Sequence, residues 1–147
     1  MFMSILKIFE NQSERRMSHL KNIFTIALAD GEIDSEELNT IFSIAQKIGI
    51  TKEEFDYVVN NNDSIKNKVP VAFKDKHMQL CHLVAMMFVD GKIDINELNY
   101  CYQLSEKLGY SKLNVHAYID MLTMLVETYK DIPTAIDEFL QISSQTS

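Results

Sequence analysis

The chain has 147 residues, a formal charge of −7, 46% apolar and 24% charged residues, four Gly and two Pro. Such a length fits one soluble domain, and so few turn-forming residues point to long helices. The acid excess excludes a nucleic-acid surface, which needs clustered Lys and Arg, and disfavours anionic lipid, while leaving cations and basic proteins open as partners.

No apolar run approaches the length of about 20 residues needed to cross a bilayer, so no transmembrane segment is expected. The start, Met1 to Phe9, is apolar but lacks a basic leader and a small-residue cleavage site, so a secretory signal is not expected either. Residues 3–9 read as a short amphipathic helix with Ile5, Leu6 and Phe9 on one side, packing on the domain rather than anchoring to a membrane surface. Cys81 and Cys101 read as free buried thiols in a cytoplasmic protein.

Residues 11–16 are polar, and Ser13 is the expected N-cap of a helix over about 14–29, with Met17, Leu20, Ile23, Phe24, Ala27 and Leu28 on its apolar face. Leu38, Ile41, Phe42, Ala45 and Ile48 carry the next helix, which Gly49 ends as a left-handed residue. Thr51 and Glu54 form a capping box for a third helix to about Val59, flanked by Ile50 and Phe55. A connector over 61–74 follows, with a helical turn expected near 69–73. Asp75 is the expected cap of a helix through Met78, Cys81, Leu83, Val84, Met86, Met87 and Phe88, apolar almost all round and therefore central. Leu98, Cys101, Leu104 and Leu108 lead to Gly109. Ser111 opens a longer helix to about Tyr129, and Asp131 with Pro133 starts a last one carrying Ile136, Phe139 and Leu140.

At an offset of sixty, Leu20 to Asn60 aligns with Leu80 to Asp120 without a gap, pairing Lys47 with Lys107, Gly49 with Gly109 and Thr51 with Ser111. The expected fold is therefore all-α: a single compact domain over 1–147, of about seven helices, built from two pseudo-symmetric three-helix repeats. Repeat one covers about 13–60, the connector 61–74, repeat two about 75–129, and the C-terminal helix about 132–142.

The repeat is sharpest in two turns, Asp30-Gly31-Glu32-Ile33-Asp34-Ser35-Glu36-Glu37-Leu38 and Asp90-Gly91-Lys92-Ile93-Asp94-Ile95-Asn96-Glu97-Leu98. Helix punctuation accounts for most of each. Gly31 and Gly91 stop one helix, Asp34 and Asp94 cap the next, and Glu37 and Glu97 complete capping boxes. Ile33 with Leu38, and Ile93 with Leu98, form hydrophobic staples. Asp30 and Asp90 fall outside that account. Each stands at a helix carboxyl end, where the dipole disfavours negative charge by about 0.3–1 kcal/mol. Either the free amides of the next helix, or a bound cation or basic partner, offsets the cost.

A calcium-binding helix-loop-helix would place Gly31 at loop position 6, and positions 1 and 3 at Ile26 and Leu28, or Met86 and Phe88 in the second copy. These are read as core residues without ligating atoms, which excludes an ordinary EF-hand but not one cation shared by both turns.

Ala27-Leu28-Ala29-Asp30-Gly31-Glu32-Ile33 followed by Glu37, and Val89-Asp90-Gly91-Lys92-Ile93 followed by Glu97, resemble the repeated signature of the TerB-like tellurite-resistance family, over about Ser13 to Tyr129. The resemblance implies an all-helical domain of two related halves, associated with stress and tellurite responses. It also implies a divalent cation (Ca, Mg, Mn or Zn) held by Asp30, Asp34, Glu37, Asp90, Asp94 and Glu97. The second copy departs from the pattern with Val89 in place of Ala.

His77 and Cys81, spaced i and i+4 with His82 beside them, could share a transition metal, but no second pair accompanies them; a core Cys with a surface His is the plainer reading. Met78, Met86, Met87, Met121 and Met124 read as core filling. No phosphate loop or nucleophile elbow occurs, and no enzyme is expected. Two functions remain: a cation-binding or cation-sensing module, and a metal-independent module whose acidic face docks a basic protein.

Overall fold

A computed structural model describes residues 2–29, 31–89 and 93–145, with side chains described for 12–29, 31–89 and 93–143. Its first element, α1 (Phe2–Ala27), is one continuous helix. The polar run over 11–16 does not break it, because no Gly or Pro interrupts 2–27 and polarity alone leaves helical backbone intact. Ser13 is therefore not an N-cap. Its hydroxyl donates instead to the Glu54 carboxylate, where Arg16 also pairs at 3.1 Å. Burial alone would raise the Glu54 pKa, but the Ser13 hydroxyl, the Thr51 amide and Arg16 outweigh it and hold the group below its ordinary value. Ile5, Leu6 and Phe9, on which the anchor question turns, lie outside the described side chains.

The remaining helices are α2 (Ser35–Lys47), α3 (Lys52–Asn60), α4 (Phe73–Met87), α5 (Ile95–Lys107), α6 (Lys112–Tyr129) and α7 (Ile132–Gln145). With a short 3₁₀ turn over Asn62–Ser64, these are all the regular elements among the described residues, and the all-α expectation holds. Gly49 and Gly109 follow α2 and α5 at φ 81° and 91°, the left-handed stop that glycine adopts without a Cβ penalty. Thr51 with Glu54 forms the expected capping box, and Ser111 with Asn114 forms a second.

Two local expectations fail. Helix α4 starts at Phe73 with Ala72 as an uncapped N-cap, which leaves Asp75 at the third helical position, where its charge still favours the helix N-terminus. No helical turn forms over 69–73; the only one in the connector is at Asn62–Ser64. The connector is tied along α1: Lys21 Nζ donates to the Ile65 carbonyl at 2.6 Å, and the Lys68 amide donates to Ser18 Oγ at 2.9 Å.

Helix α4 is central, as its nearly continuous apolar surface requires, with Leu80, Cys81, Leu83, Val84, Ala85, Met86 and Met87 buried. It packs on α1, α5, α6 and α7. Helix α7 closes the other side of α4 against α6 through Ala135, Ile136, Phe139 and Leu140, all buried. Met86 and Met87 fill the core, Met121 packs against it and Met78 is half-buried, but Met124 is 61% exposed and does not serve as core filling. Cys81 and Cys101 are free and buried, and burial pushes their thiols up to about 11 and about 12.

Candidate functional site

Each acidic turn is a helix stop followed by a helix start, and the described residues carry those roles as atoms. Gly31 stands at φ 98°, a left-handed conformation that a side chain would strain. Asp34 Oδ1 accepts from the Glu37 amide at 2.7 Å, and Glu37 Oε1 accepts from the Asp34 amide at 3.3 Å. In the second turn Asp94 Oδ1 draws on two amides, Asn96 at 2.8 Å and Glu97 at 3.3 Å. Among the staple residues, Ile33 and Leu98 pack against the core, whereas Leu38 and Ile93 are each 38% exposed.

Only the first turn forms the reciprocal capping box, yet Glu37 and Glu97 are both more enclosed than capping requires. Glu37 and Glu97 are each 3% exposed. The Ser111–Asn114 box makes the same reciprocal bonds at the surface. Taking a carboxylate out of water costs several kcal/mol, and both glutamates have interacting partners that offset it.

Of the six carboxylates expected to hold a cation, Asp34, Glu37, Asp94 and Glu97 are placed as above; Asp30 and Asp90 lie outside the described residues, as do Gly91 and Lys92. Among the described residues, no group of three or more His, Cys, Asp and Glu is gathered to hold a metal. For the EF-hand register, Ile26, Met86 and Phe88 are buried as expected, but Leu28 is 46% exposed; its hydrocarbon side chain still has no ligating atom.

His77 is not a surface residue but a buried one in a closed network. The Ser143 carbonyl can only accept, so His77 Nε2 carries a hydrogen and donates to it at 3.1 Å. Tyr118, whose phenol burial pushes up to about 12, donates to Nδ1 at 2.9 Å. Cys81 Sγ lies 3.7 Å from the same Nε2. With both ring nitrogens engaged, the His77–Cys81 pair serves the core.

A second buried pair has no counterpart in the sequence reading: His19 Nε2 lies 2.8 Å from His82 Nδ1, joining α1 to α4 with the rings stacked at 5.1 Å. Burial and the neighbouring His82 hold His19 well below the ordinary imidazole value. Burial and the Lys47 ammonium bring His82 down to about 4. The signal that would have found the pair is positional: His19 stands four and seven residues before Ile23 and Ile26, on the face that is fully buried.

Among known families, a model described as "Tellurite resistance protein TerB" matches residues 2–59. The match takes in α1 to its start, α2 and nearly all of α3, and ends before the connector. No curated protein and no solved structure matches the chain.

Proposed function

From a chain that is TerB-like in its first three helices, we propose a non-enzymatic cytoplasmic module that binds a divalent cation, Ca, Mg, Mn or Zn, through the side chains of its two acidic turns. The observation that supports this reading is the matched placement of Asp34 with Glu37 and of Asp94 with Glu97 at the starts of α2 and α5. A cation reached by these carboxylates, with Asp30 and Asp90, would offset the repulsion expected at the helix ends. The free thiols Cys81 and Cys101 support the cytoplasmic placement. Among the described residues no helix is long and apolar enough to cross a membrane.

The test is thermal. A bound ion stabilises the fold by about 2.7 kcal/mol at a hundredfold excess over its dissociation constant. Titrating Ca, Mg, Mn and Zn against a chelator should raise the melting point for at least one of them. The double variant Asp30→Asn/Asp90→Asn should remove that rise. Asp34→Asn is the control, since Asn caps about as well as Asp and should leave metal-free stability intact, whereas Asp34→Ala costs about 1 kcal/mol. If no ion moves the wild-type melting point, the cation reading is wrong.

A second reading has its own support: Glu32, Asp34 and Glu36 are exposed together around the first turn. Such a face would dock a basic protein without metal, and its signature is affinity that falls steeply with salt and ignores the chelator.

A further inference from the structure

Apart from the acidic turns, a cavity of about 580 Å³ is lined by residues of α1, the end of α2, the start of α4 and α7. In a chain of net charge −7, its lining reverses the overall sign: Arg15, Arg16 and Lys47 stand against Asp75. Arg16 is paired with Glu54, yet its Nε is buried without a partner. Lys47 reaches Asp137 only at 3.8 Å, between two largely exposed side chains, and such a pair contributes little. Cations gathered around one concavity repel each other, and an anion there relieves them all.

The buried His19–His82 pair also lines this cavity. Their hydrogen bond consumes one N–H, so either tautomer leaves one N–H and one bare nitrogen at the two ends. His19 Nδ1 is buried and has no partner. An unmet buried N–H is rarer and costlier than an unmet acceptor, so the spare N–H belongs on His82 Nε2. The pair then supplies a neutral donor on the ring whose pKa the Lys47 charge lowers. Ile48, Met78 and Leu140 add apolar surface to the lining.

We propose that this cavity binds a small organic anion, a carboxylate or phosphate monoester on an apolar body, with the acid group held by Arg15, Lys47 and His82 and the body against Ile48, Met78 and Leu140. The volume falls in the range of small-molecule sites, about 300–1,000 Å³. Charge-assisted hydrogen bonds from guanidinium and ammonium to the acid oxygens are the stronger class of polar contact. The site is independent of the cation reading, since it shares none of its residues.

Four probes decide it: benzoate, phenyl phosphate, inorganic phosphate and benzylamine, each titrated against the full chain by calorimetry and by backbone amide shifts. The expected result is that one or both aromatic acids bind and shift amides of α1, α4 and α7 around the cavity. The tighter of the two identifies carboxylate or phosphate as the preferred group. The double variant Arg15→Gln/Lys47→Gln should weaken that binding about tenfold or more, at hydrogen-bond energies typical of charged groups. Its melting point without ligand should stay at the wild-type value, because both side chains are on the surface. Binding of benzylamine as tight as that of the acids would overturn the proposal. So would inorganic phosphate binding as tightly as phenyl phosphate, unchanged affinity in the double variant, or no binding by either aromatic acid at millimolar concentration.

Discussion

Phe139→Ala is expected to destabilise the fold by about 3–5 kcal/mol, the range for removing a large aromatic from a closed core. Phe139 is fully buried on α7, with its ring edge-on to Tyr118 at 6.0 Å. Truncation removes the ring contact with Tyr118 on α6 and leaves a void in the core. Against a total stability of about 5–15 kcal/mol, that loss takes much of the margin. Urea midpoints at 25 °C measure it. Phe139→Leu, which keeps most of the apolar volume, should lose markedly less. An equal loss in both variants would mean that ring geometry rather than volume is at stake, and a loss under 1 kcal/mol would mean that α7 is not part of the cooperative core.

The second large effect depends on pH. His82 is held at about 4 and His19 is also lowered, both chiefly by burial, against an ordinary value of 6.5. Between those limits the unfolded chain binds protons that the folded chain refuses, so stability is complete above pH 6.5 and falls as pH drops toward 4. Each unit is worth about 1.4 kcal/mol per histidine, which gives a loss of about 2 kcal/mol from His82 alone between pH 6.5 and 5. That window lies above the one in which Glu54, whose pKa is lowered, gives up its contribution as pH falls below 4.5. Denaturant midpoints at pH 7, 6 and 5 should trace the slope. His82→Gln keeps a neutral hydrogen-bonding side chain and should flatten it, and a variant as acid-sensitive as the wild type would move the cause elsewhere.

The fold was legible wherever one local rule decided the backbone. Gly49 and Gly109 could only be left-handed stops, and Asp34, Thr51, Asp94 and Ser111 each precede a helix by one position and cap it. Ser13 and Asp75 were misread because a capping residue type is necessary but not sufficient. Helix α1 already ran through Ser13, and α4 had already begun at Phe73. The acidic residues of the turns were legible as caps, yet the depth of Glu37 and Glu97 was not, because the burial of a polar residue depends on which helix crosses it. The His19–His82 pair was hidden for a related reason: its members come from α1 and α4, sixty-three positions apart and out of step with the sixty-residue repeat. A repeat alignment finds what the two halves share and passes over what joins them.

The two enclosed thiols turn the chain into its own clock. A cysteine that is buried and held protonated at neutral pH reacts with a disulfide reagent only when its surroundings open and release it, so the labelling rate counts openings rather than collisions. Cys81 lies on the central helix and Cys101 on α5. If the domain opens as one unit, both sulfurs are modified at one rate and slow together in any stabilising condition, whereas faster labelling of Cys101 would show α5 peeling away first, ahead of global unfolding. Mass spectrometry of labelled Cys81→Ala and Cys101→Ala over time separates the two cases.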